Sequence, residues 1–200
     1  YHAQIHFFHF AFFKGGFIGV DIFFVISGYL ITLIILKSLS KTGSFSFKYF
    51  YERRVRRILP VLLTVMLVFS PIAWFILMPS NIVDFSKSIL YSLGFASNFY
   101  FHYSGQIYGD ATGLIKPFLH TWSLSVEEQY YILFPITIYF AHKYLKKYLL
   151  HLILFIFILS IGMADFGSKY YASATFYFLN TRMWELLAGS ILAYYEIKLG

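Results

Sequence analysis

An all-α bundle of membrane helices is the fold class this sequence predicts, on three observations. Apolar runs long enough to cross a bilayer recur along the 200 residues, 59% of residues are hydrophobic against 12% charged, and the charges gather between the runs. A soluble domain of this size has no interior large enough to hide so much apolar surface. A formal charge of +7 would suggest nucleic acid in a soluble protein. Placed in the connections it is an orientation signature, and no nucleic acid is expected as partner. The absence of cysteine removes disulfides, thiolate nucleophiles and cysteine metal sites. The chain opens on Tyr1, ends at Gly200 and shows no signal peptide, so the expectation is one domain over 1–200, cut at both ends from a longer protein.

A spanning helix needs about 20 mostly apolar residues. The run from Tyr1 to Phe13 is short for a span and reads as the remainder of one. Residues 16–36 follow with Asp21 as their one charge, then 58–78, with Pro60 placed in a first turn where a missing N–H costs little. Residues 118–140, 149–166 and 183–197 complete about six spans. Residues 85–101 are diluted by Ser86, Lys87, Ser88, Ser92, Ser97 and Asn98.

Lys and Arg in short connections set the orientation. Residues 37–57 hold Lys37, Lys41, Lys48, Arg53, Arg54, Arg56 and Arg57 against Glu52 alone, which makes this connection cytoplasmic. Lys143, Lys146 and Lys147 put residues 141–148 on the same side, so 58–78 leaves, 118–140 returns, and 85–101 is re-entrant or interfacial.

Three groups of residues carry possible chemistry. At helical spacing Arg54 and Arg57 share a face, as do Arg53 and Arg56, giving planar forks that match phosphate oxygens. The plainer alternative is an orientation signal with affinity for anionic membrane lipid. His2, His6 and His9 have i, i+4, i+7 spacing and fall on one helical face. No acidic or cysteine ligand accompanies them, so no metal is expected. If Lys14 and Gly15 close a helical hairpin, His2 lies about 18 Å from that turn, near mid-membrane. Ser27 is then level with it, Asp21 is level with His9 and free to pair with it, and Gly15, Gly19 and Ser27 permit close helix approach. Ordinary small-residue packing explains Ser27 equally well.

The third group lies in HTWSLSVEEQYY, residues 120–131. Glu127 falls on the stripe of His120 and Ser123, beside Trp122 and about two turns inside the outer end, where a carboxylate is a functional candidate. Glu128 points elsewhere and suits a structural partner such as Arg182 or Lys116, which remain open to Glu127 as well. Arg182 and Glu185 are spaced i, i+3 and are free to pair with each other.

The stretches GGFIGVDIFFVISGYLIT, FYERRVRRILP, HTWSLSVEEQYYILFP and RMWELLAGSILA, in this order, resemble the acyltransferase-3 family of integral membrane O-acyltransferases, typified by O-antigen and peptidoglycan O-acetyltransferases. The resemblance implies transfer of an acyl group, commonly acetyl, from cytoplasmic acyl-CoA to a hydroxyl of an extracytoplasmic glycan, in a bacterial inner membrane protein. Acyl-CoA is then donor substrate and no bound cofactor is expected. The resemblance puts the family's RxxR motif on Arg54 and Arg57, its first-span histidine on His2 and its WSLxxE glutamate on Glu127.

On this reading the arginines lie at the cytoplasmic side, His2 is central, and Glu127 lies toward the acceptor. His2 serves as general base or transient acyl carrier, Glu127 orients an imidazole or the sugar, and Ser27 or Ser123 steadies an oxyanion. The rival reading is a multi-span transporter or flippase of a lipid-linked sugar, in which buried His, Glu and Asp bind substrate or relay protons. A receptor or scaffold would leave His2 and Glu127 without purpose.

Overall fold

The computed structural model describes residues 18–105 and 116–199, together with the backbone of residues 6–7 and 10–11. It is an all-α bundle. The helices are α1 Ile18–Thr42, α2 Phe47–Ile76, α3 Pro79–Leu93, α4 Ser97–Tyr103, α5 Thr121–Tyr144, α6 Leu149–Tyr170, α7 Ala172–Tyr177 and α8 Leu179–Leu199. Three stretches, Ile18–Thr42, Phe47–Ile76 and Lys146–Tyr170, are long and apolar enough to cross a membrane. Polar and charged side chains dilute α5 and α8, and many of these are buried inside the bundle.

The amino-terminal run departs from the expected helix. His6–Phe7 and Phe10–Ala11 pair as short antiparallel strands, β1 and β2, with His6 opposite Ala11 and Phe7 opposite Phe10. A helical stripe of histidines needs helix through His6, and a strand pair at that position removes it. His2 and His9, and the turn at Lys14 and Gly15, lie outside the described residues.

The second departure concerns α2. Residues 37–57 are not a connection: α1 continues to Thr42 and α2 begins at Phe47, so the arginine quartet stands inside a 30-residue helix. Ser46 caps this helix, its Oγ accepting from the Tyr49 N–H at 3.4 Å. Pro60 is therefore mid-helix rather than in a first turn. It cannot donate to the Arg56 carbonyl, and Pro71 leaves the Leu67 carbonyl in the same position.

The heart of the bundle is α1 on α8. Contacts advance together along the two helices, from Asp21 with Arg182 to Thr32 with Ser190, so they run parallel. α5 runs the same way beside α1, with Phe24 against Trp122 and Ser27 bonded to Glu127. α2 runs opposite to α5, since Phe47 meets Tyr139 and Arg54 meets Glu128.

Glycine makes the α1–α8 approach possible. A Cβ on Gly28 would overlap the Leu186 carbonyl and sit 2.9 Å from the Leu186 Cα, and one on Gly189 would overlap the Val25 carbonyl and sit 2.6 Å from the Tyr29 nitrogen. Gly19, expected to permit approach by the amino-terminal run, has no described atom within 4 Å of such a Cβ, and that approach lies outside the described residues. Thr32 Oγ1 donates to Ser190 Oγ at 2.8 Å, and Tyr130 Oη shares a hydrogen bond of 2.8 Å with the same oxygen, which ties α1, α5 and α8 where close backbones leave room only for small polar groups.

Residues 85–101 are not one helix. α3 runs in, the chain reverses at Gly94–Ala96 with Phe95 at φ 51, and α4 runs back out. Gln129 Nε2 donates to the Phe95 carbonyl at 3.0 Å and to Asn98 Oδ1 at 2.9 Å, which holds that strained reversal against α5. Ser92 with Thr121, and Ser97 with Ser125, satisfy the hydroxyls that diluted this segment in the sequence. It doubles back within the bundle.

Candidate active site

Glu127 is the centre of the polar interior. It is 5% exposed, and its Oε1 accepts from two hydroxyls, Ser27 on α1 and Tyr131 one turn further along α5. Among the described residues neither Arg182 nor Lys116, the partners left open for it, forms an ion pair with it. Its i+4 neighbour supplies the second donor because positions 127 and 131 share a helical face.

Beside it, Glu128 is also buried at 8% exposure and pairs with Arg54 of α2, Oε1 to Nη1, at 3.6 Å. This replaces the expected Arg182 or Lys116. Two aromatic rings flank the Arg54 guanidinium, that of Tyr131 at 3.3 Å to its centroid and that of Phe50 at 5.2 Å. Arg54 Nε and Glu128 Oε1 are buried, and neither has a hydrogen-bond partner among the described residues.

Local sequence sets this contact. Pro135 has no N–H to give the Tyr131 carbonyl, and Tyr51 Oη donates there instead at 3.2 Å. Tyr51 and Arg54 lie one turn apart on α2, so the same helix face fills the gap made by the proline and delivers the guanidinium.

The expected separation between arginines and acid is thereby corrected. From Arg54 to the far end of α2 is 22 residues, about 33 Å, whereas Glu128 lies only seven residues, about 10 Å, from the start of α5. Since the two side chains meet, α5 begins deep in the bundle, where Phe118, Thr121 and Trp122 are buried and Phe118 packs on Phe85 of α3 at 5.4 Å. Glu127 therefore stands at the level of the arginines, not near the opposite face.

The remaining candidates divide. Arg57 is exposed on the Arg54 face of α2. Arg53 and Arg56 point away, the first against Tyr49 and the second paired with Glu52 at 2.7 Å. Arg182 joins Glu185 at 2.7 Å and Asp21 at 2.9 Å, and its Nε donates to the Phe176 carbonyl at 3.3 Å. The i, i+3 pairing of Arg182 with Glu185 stands, and Asp21 pairs with Arg182 as well; its expected pairing with His9 lies outside the described residues. Trp122 is core, edge-on to Phe24. His120 is exposed at the start of α5, and Ser123 Oγ donates to the His120 carbonyl at 3.1 Å. Tyr131, Tyr51 and Phe50 were not selected from the sequence, although the i+4 spacing from Glu127 pointed to Tyr131.

A family model described as an acyltransferase domain matches residues 1–199. An uncharacterized protein of Haemophilus influenzae is 41% identical over 88% of this chain and 74% of its own length. The peptidoglycan O-acetyltransferase of Listeria monocytogenes is 36% identical over 93% of this chain, which spans only 30% of that relative. No solved structure matches.

Proposed function

We propose, because this chain belongs to the acyltransferase-3 family, that it forms the donor-binding part of a membrane O-acyltransferase and moves an acyl group, acetyl by preference, from cytoplasmic acyl-CoA to a hydroxyl of an extracytoplasmic glycan. The relative named a peptidoglycan O-acetyltransferase supports a cell-envelope glycan as acceptor. One observation carries the reading: Arg54 offers a buried Nε–H that no described residue accepts from, on a guanidinium that pairs with Glu128, the neighbour of Glu127. A phosphate oxygen of the donor is an acceptor of the right charge for that fork. Arg57, one turn on and exposed, is a second contact for the same anion.

In the reaction the acceptor hydroxyl oxygen bonds to the thioester carbonyl carbon and the carbon–sulfur bond breaks. The hydroxyl proton passes to a base and finally to the departing thiolate. His2 is the residue we assign as that base or as a transient acyl carrier, with Glu127 orienting it or the sugar. Glu127 is suited to that role because two neutral hydroxyls, rather than an arginine, hold it directly.

The test uses membranes carrying the complete protein and radiolabelled acetyl-CoA. Label on surface glycan is expected, and uptake of label without covalent transfer refutes the reading. Arg54→Lys with Arg57→Lys keeps the charge and removes the fork, so a wild-type rate in that protein refutes the phosphate role.

A further inference from the structure

We infer that Tyr131 is a positioning residue that couples the donor arginine to Glu127, an assignment that rests on the acyltransferase reading above. Its side chain does two separate things. The hydroxyl donates to Glu127 Oε1, the same oxygen that Ser27 holds, while the ring face lies against the Arg54 guanidinium at 3.3 Å. Its backbone is fixed from α2 as well, through the Tyr51 hydroxyl on its carbonyl at 3.2 Å.

Tyr131 is 2% exposed and so does not itself present a surface to a ligand. What it can do is transmit. A cation on an aromatic face and a phenol on a carboxylate are both directional contacts, and one rigid ring carries both. An anion that fixes Arg54 therefore also fixes the phenol, and the phenol fixes Glu127. Glu128 does not provide this link, because it holds Arg54 at 3.6 Å without a hydrogen bond and has no bond to Glu127.

Because ring and hydroxyl serve different partners, substitution separates them. The complete protein in proteoliposomes is titrated with radiolabelled acetyl-CoA as wild type, Tyr131→Phe and Tyr131→Leu, and thermal unfolding in detergent is followed for each. Tyr131→Phe keeps the ring under Arg54. Its KM for acetyl-CoA is expected to stay within about twofold of wild type while kcat falls about tenfold to a hundredfold, the scale of one hydrogen bond to a charged group. Tyr131→Leu removes the ring too, and its KM is expected to rise about threefold or more in addition.

A Tyr131→Phe protein with wild-type kcat overturns the coupling role. So does one whose kcat and KM worsen together in step with a lowered melting temperature, because that is the mark of a merely structural tyrosine. If Tyr131→Leu does not fold, the Phe variant decides alone. If the wild type transfers no acetyl group, the acyltransferase reading falls and this inference with it. If the wild type transfers and Arg54→Lys raises KM while Tyr131→Phe changes nothing, that reading stands and the coupling role alone is lost.

Discussion

Replacing Glu128 with leucine leaves the Arg54 charge between two aromatic faces with no anion beside it, and a double-mutant cycle with Arg54→Met measures what that costs. At the 3.6 Å separation in the structure, the attraction between unit charges is about 5 kcal/mol at an effective dielectric of about 20. Burying both groups offsets most of it, and the side chains are 22% and 11% exposed without a hydrogen bond between them, so the net coupling expected is about 1–3 kcal/mol. Each single variant is expected to lose about 2–4 kcal/mol, because it strands the partner charge, and the double variant to regain a large part of that loss. The assay is reversible unfolding in mixed detergent micelles, read beside acetyl transfer by the complete protein. Recovery of stability without recovery of transfer assigns the pair's structural worth to charge balance and its chemical worth to the Arg54 fork. Strictly additive losses in the cycle refute the ion pair, and transfer restored to the wild-type rate in the double variant refutes the use of Arg54.

Gly28→Leu and Gly189→Leu should each separate α1 from α8 and cost at least about 2 kcal/mol by the same unfolding assay, since the added Cβ meets backbone on the opposite helix, whereas Gly19→Ala is the control with nothing in its way. Arg182→Met strands Asp21 and Glu185, the latter 1% exposed, and is expected to lower stability by about 3 kcal/mol or more, with Arg182→Lys intermediate; an Arg182→Met protein as stable as wild type contradicts the ion-pair assignment.

These helices were legible because hydropathy is a local signal, and α1, α5, α6 and α8 fall within a few residues of the expected runs, apart from the six-residue extension of α1 to Thr42, although only α1 and α6 of these are long and apolar enough to cross a membrane. The start of α2 was hidden because Phe47–Arg57 is rich in charge, and a hydropathy window does not see a helix that is polar on its exposed side; the Ser46 cap was the missed cue. Ser27 and Glu127 were each visible as unusual polar residues in apolar surroundings, yet the bond between them was not, since it joins residues 100 positions apart. That bond, and the Arg54–Glu128 pair, depend on how deep α5 begins. Depth is set by the α3–α4 reversal and by Phe118 packing on Phe85, neither of which leaves a periodic trace in the sequence.

The two half-buried arginines argue for different purposes because their valences are filled differently. Arg182 bonds two carboxylates through Nη1 at 2.7 and 2.9 Å and gives its Nε–H to a carbonyl, so these donors are spent on the protein itself and tie α1 to α8. One Glu185 oxygen is left over, but an acceptor with spare lone pairs is the lesser loss. Arg54 is held by ring faces and by a carboxylate at 3.6 Å, and its buried Nε–H is unspent. A donor left so inside a bundle is costly unless something accepts from it in the working protein. The arginine with the open fork is also the one that lies on the Tyr131 ring, whose hydroxyl bonds Glu127 beside Ser27, so an anion accepted by Arg54 would stand one ring away from that acid.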